Sequence, residues 1–180
     1  RATLDEKEMV MNGAAHARRR PLDPDPELWE ALGRGEKLAH ALEGFYDEVF
    51  LDPALSPFFR DVSKSWVREK QFAFLRSLLL GDSGYFGFRP RNAHHWMVIS
   101  EELFDHREEM LMRHLRRVGL AEELVLRIRA IDECFRKQIV KDSPRPRRLG
   151  GRALPIDGWE SLVLDDGGLC DACEEVVPRG

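Results

Sequence analysis

Two adjacent histidines, His94 and His95, stand in RNAHHWMVIS (residues 91–100), and three polar residues, Tyr46, Gln71 and Arg107, interrupt otherwise apolar helical stripes. A neutral imidazole can ligate a metal, a phenol and an amide can donate hydrogen bonds to a bound ligand, and a guanidinium can hold an anion. Burying a phenol or an amide without a partner is costly, so each stripe-breaker needs something to bond. Taken singly, the simplest account is that each bonds a neighbour or the backbone. Adjacent residues do not share a helix face, so at most one of the two histidines turns inward. Side by side they also lack the i, i+4 spacing that places two histidines on one metal.

The elements that must position these residues read as helices. Leu38, Ala41 or Leu42, Phe45 and Val49 recur at spacings of three and four, a one-faced helix stopped at Leu51 to Pro53. Val67, Gln71, Phe74 or Leu75 and Leu78 form a second stripe, ended by Gly81. Ser100 is placed to cap a third helix with the stripe Phe104, Arg107, Leu111, Leu115, and a fourth runs through Leu124, Ile128, Ile131 and Phe135. The glycine-rich segment between Gly81 and Ser100, which carries the histidines, is only weakly helical.

Strand-like alternation is nearly absent, and 180 residues suffice for one buried core. The expected organisation is an N-terminal arm over 1–25, a helical domain over 26–142 and an extension over 143–180. The arm carries Arg18 to Arg20 and PLDPDP; the extension runs from basic (Arg145, Arg147, Arg148, Arg152) to acidic, with Trp159 and Leu162 as candidate docking residues. A net charge of −4 spread over both signs argues against nucleic acid or an anionic membrane as partner. No apolar run reaches membrane-spanning length, no secretory signal core is evident, and three cysteines form no disulfide framework, so a cytoplasmic setting is expected.

The tail contains Cys170-x-x-Cys173. A covalent c-type haem link requires histidine after the second cysteine, and Glu174 stands there. Zinc would need two more ligands, from Cys134 or a second chain, and redox chemistry of the thioredoxin kind needs a strand–helix setting this tail lacks. A redox-responsive tail and an inert one remain open.

Three segments, FYDEVFLDPALSPFF at 45–59, KQFAFLRSLLLGDSGYFG at 70–87 and AHHWMVISEELFD at 93–105, together resemble the truncated haemoglobins, the two-over-two branch of the globins. The resemblance covers about Leu28 to Val140. It implies an all-α, truncated globin-like two-over-two helical sandwich with an irregular C-terminal extension, holding one haem b per chain. It assigns the proximal iron ligand to His94, followed five residues later by Ile99, and leaves His95 exposed or turned toward a propionate. It places Tyr46 and Gln71 on the distal side as donors to a diatomic ligand, with Phe59, Val67, Leu75 and Ile99 lining the porphyrin slot. Lys70, Tyr85 and Arg91 become candidate propionate contacts. Related proteins often carry an apolar residue or tryptophan where Arg107 stands. Its guanidinium could reach a propionate, anchor an anion or turn to solvent along its stem, and the last is the reading adopted. LGRG at 32–35 and GDSG at 81–84 depart from the family's glycine pairs, so the two corners are expected to differ in shape.

The implied function is reversible binding of dioxygen or nitric oxide, with nitric oxide dioxygenase or peroxidase-like turnover served by a reductase as one extension. A gas or redox sensor whose tail contacts a partner is the alternative, and a haem-free helical interaction domain is the third class.

Overall fold

The computed structural model describes residues 22–82 and 84–149, together with 152–153, 168–169 and 176–177. The expected arm up to residue 21, Trp159, Leu162 and the Cys170/Cys173 pair lie outside them. The described elements are α1 (Pro26–Ala31), α2 (Glu36–Val49), a 3-10 turn (Ser56–Phe59), α3 (Lys64–Leu80), α4 (Pro90–Ala93), α5 (Glu101–Arg117), α6 (Glu122–Glu133) and α7 (Arg136–Ile139). Two antiparallel ladders of two residues a side follow, Arg148–Leu149 with Arg152–Ala153 and Gly168–Leu169 with Val176–Val177. Among the described residues no helix is long and apolar enough to cross a membrane.

The chain divides into two compact units, residues 1–87 with 101–137, and residues 88–100 with 138–180. In the first, α2 packs on α5 and α3, α5 on α6, and α1 on α3. The stripe read from α2 is the centre of the core: Leu38, Ala41, Leu42, Phe45, Tyr46 and Val49 are all buried, against Leu111, Met112, Leu115, Val125 and Ile128. A one-faced helix at 3.6 residues per turn can bury only such a stripe, and this one has a partner on both sides.

Local chemistry sets the helix ends. Asp25 caps α1, its carboxylate accepting from Leu28 N at 3.0 Å, and Pro26 occupies the first turn. After α2, Asp52 Oδ1 accepts from Ala54 N at 2.9 Å and Leu55 N at 3.0 Å, turning the chain before the 3-10 segment. Ser63 caps α3, which closes at Gly81 as its sequence requires. The corner between α1 and α2 is unusual. Gly33, Arg34 and Gly35 all have positive φ, and a Cβ on Gly35 would come within 2.5 Å of the Trp29 ring and 2.8 Å of Phe72. Only glycine satisfies both the conformation and the space there.

α3 is amphipathic but incompletely covered. Leu75 and Leu79 are buried, while Val67, Gln71, Phe74 and Leu78 are half-buried. On α5, Glu108 is buried, with Oε2 accepting from Arg129 Nε at 2.8 Å; burial raises its pKa above the ordinary value.

Candidate ligand pocket and axial-ligand segment

In the first unit, the polar residues that break the stripes meet. Tyr46, 4% exposed on α2, donates its phenol proton to Gln71 Oε1 on α3. The Tyr46 ring stands edge-on to Phe45 at 4.9 Å and to Phe59 at 6.2 Å, and Phe59 lies 5.2 Å from Phe50. Burial raises the pKa of this phenol well above its ordinary range, with the Arg107 charge opposing, so Tyr46 stays a proton donor. Because Gln71 accepts through its oxygen, its amide N–H2 is the end left to donate. On the same helix as Gln71, Phe74 packs on Tyr85 at 5.2 Å and Phe135 at 5.5 Å, and half-buried Val67 packs against the core. Lys70 Nζ lies 5.6 Å from the Trp66 ring.

Arg107 overturns the expectation that it turns to solvent. Its guanidinium pairs with Asp132 of α6, the side chains being only 22% and 15% exposed, and lies 5.5 Å from the Phe45 ring. Burial disfavours the cation, but the adjacent Asp132 carboxylate outweighs it and raises the Arg107 pKa. Asp132 was not singled out in the sequence. The signal was available: it stands four residues after Ile128, a charged residue on the stripe of α6.

The second unit carries the histidines. α4 is a single turn opened by Pro90, and His94 is its C-cap, with φ −103° and ψ 13°. His94 Nδ1 lies 2.9 Å from Pro90 O. A carbonyl can only accept, so Nδ1 holds the ring proton and Nε2 carries the lone pair. His95 is neither exposed nor displayed to solvent: it is 4% exposed, and its Nδ1 donates to Asn92 O at 2.9 Å. Burial lowers its pKa, which favours the neutral ring. Alternation alone could not say that this loop has an interior of its own, in which His95 is buried and His94 half-buried. Ile99 is buried and Arg91 half-buried in the same unit.

The donor set bears on cofactor chemistry. Among the described residues no group of three or more His, Cys, Asp or Glu side chains could hold a metal ion. A single imidazole cannot retain iron, so iron ligated by His94 has to bring its other ligands with it, as a porphyrin does. In the first unit, the half-buried apolar stripe of α3 and the aromatic cluster around Phe59 are surfaces suited to a flat macrocycle; in the second, the His94 imidazole is a donor of the kind that ligates haem iron.

Comparison with known proteins gives a consistent result. A family model described as bacterial-like globin matches residues 27–141. A group 1 truncated hemoglobin of Synechocystis sp. is 32% identical over 108 residues, which span 58% of this chain and 87% of that protein. The group 1 truncated hemoglobin of Tetrahymena thermophila is 27% identical over 112 residues, 62% of this chain and 93% of its own length. The crystal structure of the Fe(III) truncated hemoglobin from Tetrahymena pyriformis superposes with a TM-score of 0.56 at 27% identity, covering 63% of this chain and 97% of the other. The 2/2 hemoglobin from Synechococcus sp. PCC 7002, at 24% identity and a TM-score of 0.55, shares the fold over 59% of this chain and 89% of its own.

Proposed function

Because the chain belongs to the bacterial-like globin family, in its truncated two-over-two branch, and that family binds haem and diatomic gases, we propose that it is a haem b protein with His94 as axial ligand. The haem-binding domain is residues 26–142, one haem per chain, and 143–180 is an extension. The observation that carries this reading is the hydrogen bond from His94 Nδ1 to Pro90 O, which assigns the lone pair to Nε2 and makes the imidazole more basic toward iron. Bound haem supplies the open coordination position and the redox chemistry. The chain supplies the rest. Tyr46 orients the Gln71 amide, the pair provides hydrogen-bond donors for a gas ligand that gains electron density, and Phe59, Val67, Leu75 and Ile99 exclude water. Lys70, Tyr85 and Arg91 serve the propionates.

Purified protein should show a Soret band that is lost in His94→Ala and kept in His95→Gln. Survival of the band in His94→Ala would refute the ligand assignment. Enzymatic use takes the form NO + O2 + e− giving nitrate, with the electron delivered by a reductase in a cytoplasmic setting. Sustained nitrate formation with a supplied electron donor supports it; a single stoichiometric turnover assigns the protein to storage or sensing.

A second reading, a sensor whose tail contacts a partner, draws on one specific observation. Residues 141–148 are hydrogen-bonded to residues 92–99, so the start of the extension touches the axial-ligand segment itself.

A further inference from the structure

α4 has four residues, and the segment that follows it to Ser100 is irregular. A helix that short cannot hold a side chain's direction by its own hydrogen bonds, since even isolated helices three times longer are marginal in water. The bond from His94 Nδ1 to Pro90 O orients the ring on this turn, and what remains to be fixed is the turn itself. The segment that leaves α7 fixes it. The ammonium of Lys141, a residue 6% exposed, donates to His94 O at 2.6 Å and to Ile139 O at 3.3 Å. The backbone of the same residue pairs with Ile99 in both directions, Lys141 N to Ile99 O at 2.9 Å and Ile99 N to Lys141 O at 3.2 Å. Further along, Arg145 N donates to His95 O at 2.8 Å. Asn92 closes the run: its Nδ2 donates to Arg148 O at 2.9 Å and its Oδ1 accepts from Arg148 N at 3.2 Å. Arg147 adds a cation over Phe88, 5.3 Å from the ring centroid.

The bonds engage positions 92, 94, 95 and 99, which bracket the imidazole on both sides. A buried ammonium is costly unless its protons are used, and here they are used on the carbonyls of His94 and of Ile139 at the end of α7. Met97 N also donates to His94 O, at 3.1 Å, so that carbonyl is gripped from two directions. An apolar residue at 141 would fill the space and leave the carbonyl with the Met97 bond alone.

We propose that residues 141–148 form a proximal strap, and that Lys141 within it and Asn92 facing it are positioning residues that set the orientation of the His94 imidazole toward iron. This inference rests on the haem reading above. It assigns to residues 141–148, which lead from the helical domain into the extension, a role in haem affinity and in the strength of the iron–histidine bond, and it makes the extension's attachment part of the site.

The test uses the full chain with haem, comparing wild type with Lys141→Met and with Asn92→Ala, which keeps Lys141 and reports on the strap if Lys141→Met fails to fold. Resonance Raman of the ferrous protein should show the iron–histidine stretching band displaced and broadened in the variants. Haem transfer to an acceptor globin should be about tenfold faster, the usual scale for losing a group that orients a metal ligand. A displaced band with retained helical circular dichroism supports the strap. An unchanged band and unchanged haem loss in both variants overturns it while leaving the haem reading intact. Absence of a Soret band in wild type overturns both.

Discussion

Tyr46 of α2 donates its phenol proton to the side-chain oxygen of Gln71 on α3. The two groups therefore act as one unit. Tyr46 spends its proton on orienting the amide, which leaves the Gln71 N–H2 as the donor that the proposed function directs to the ligand. Tyr46→Phe should accelerate dissociation of a gas ligand about fivefold, and Gln71→Leu should do the same, through loss of roughly 1 kcal/mol of hydrogen bonding each. The double variant should be little worse than either single one. Stopped-flow ligand release in the four proteins measures this, and strictly additive effects would show the residues acting separately.

Arg107 and Asp132 pair in a mostly buried setting. Removing the guanidinium alone leaves a carboxylate without its counter-charge, so Arg107→Leu should lower stability by about 2–4 kcal/mol. Arg107→Leu with Asp132→Leu should recover much of that loss. Urea unfolding midpoints decide it; a double variant as weak as the single one would locate the cost in packing against Phe45.

Gly44 on α2 faces His114 on α5, where an added Cβ would stand 2.7 Å from His114 Nδ1. Alanine is the better helix former by about 1 kcal/mol. The close approach reverses that gain, because His114 is buried and its Nε2 is held by Glu48 Oε2 at 2.9 Å. Gly44→Ala should therefore destabilise by about 1–3 kcal/mol. A thermal melt showing stabilisation would mean that His114 can move aside.

Glu48 titrates with a lowered pKa, chiefly through its hydrogen bond with His114 and with help from Arg113. A carboxylate whose folded pKa lies below its unfolded 4.5 adds stability above that value and loses it as pH falls through the folded pKa. Asp25, lowered by Arg127 and the α1 amide of Leu28 against the opposing effect of burial, has the same sign. Stability should fall as the pH drops below about 4.5, and Glu48→Gln should differ from wild type at neutral pH and converge on it in acid. Parallel pH profiles for the two proteins would contradict this.

Much of the helical domain was legible because its signals are local. The α2 stripe from Leu38 to Val49 is buried as read, α3 ends at Gly81, and α5 begins right after Ser100. Each follows from the periodicity of one helix or the backbone freedom of one residue, which a chain carries before it folds. The order of the three family segments was legible for the same reason.

What α5 and α6 do to each other was not legible. The sequence placed Arg107 on an apolar stripe, but whether it turns to water or to Asp132 depends on how two helices cross, and a separation of 25 positions along the chain says nothing about that. His95 was separated from His94 by alternation, yet its burial against Asn92 and Arg145 required the chain to return 50 residues later. Lys141 lay in a stretch with no periodicity at all. By itself the sequence determined which faces are apolar and which residues could ligate or donate; the tertiary structure decided which polar group meets which, because a hydrogen bond or ion pair depends on distance and angle across elements whose separation along the chain places no limit on either.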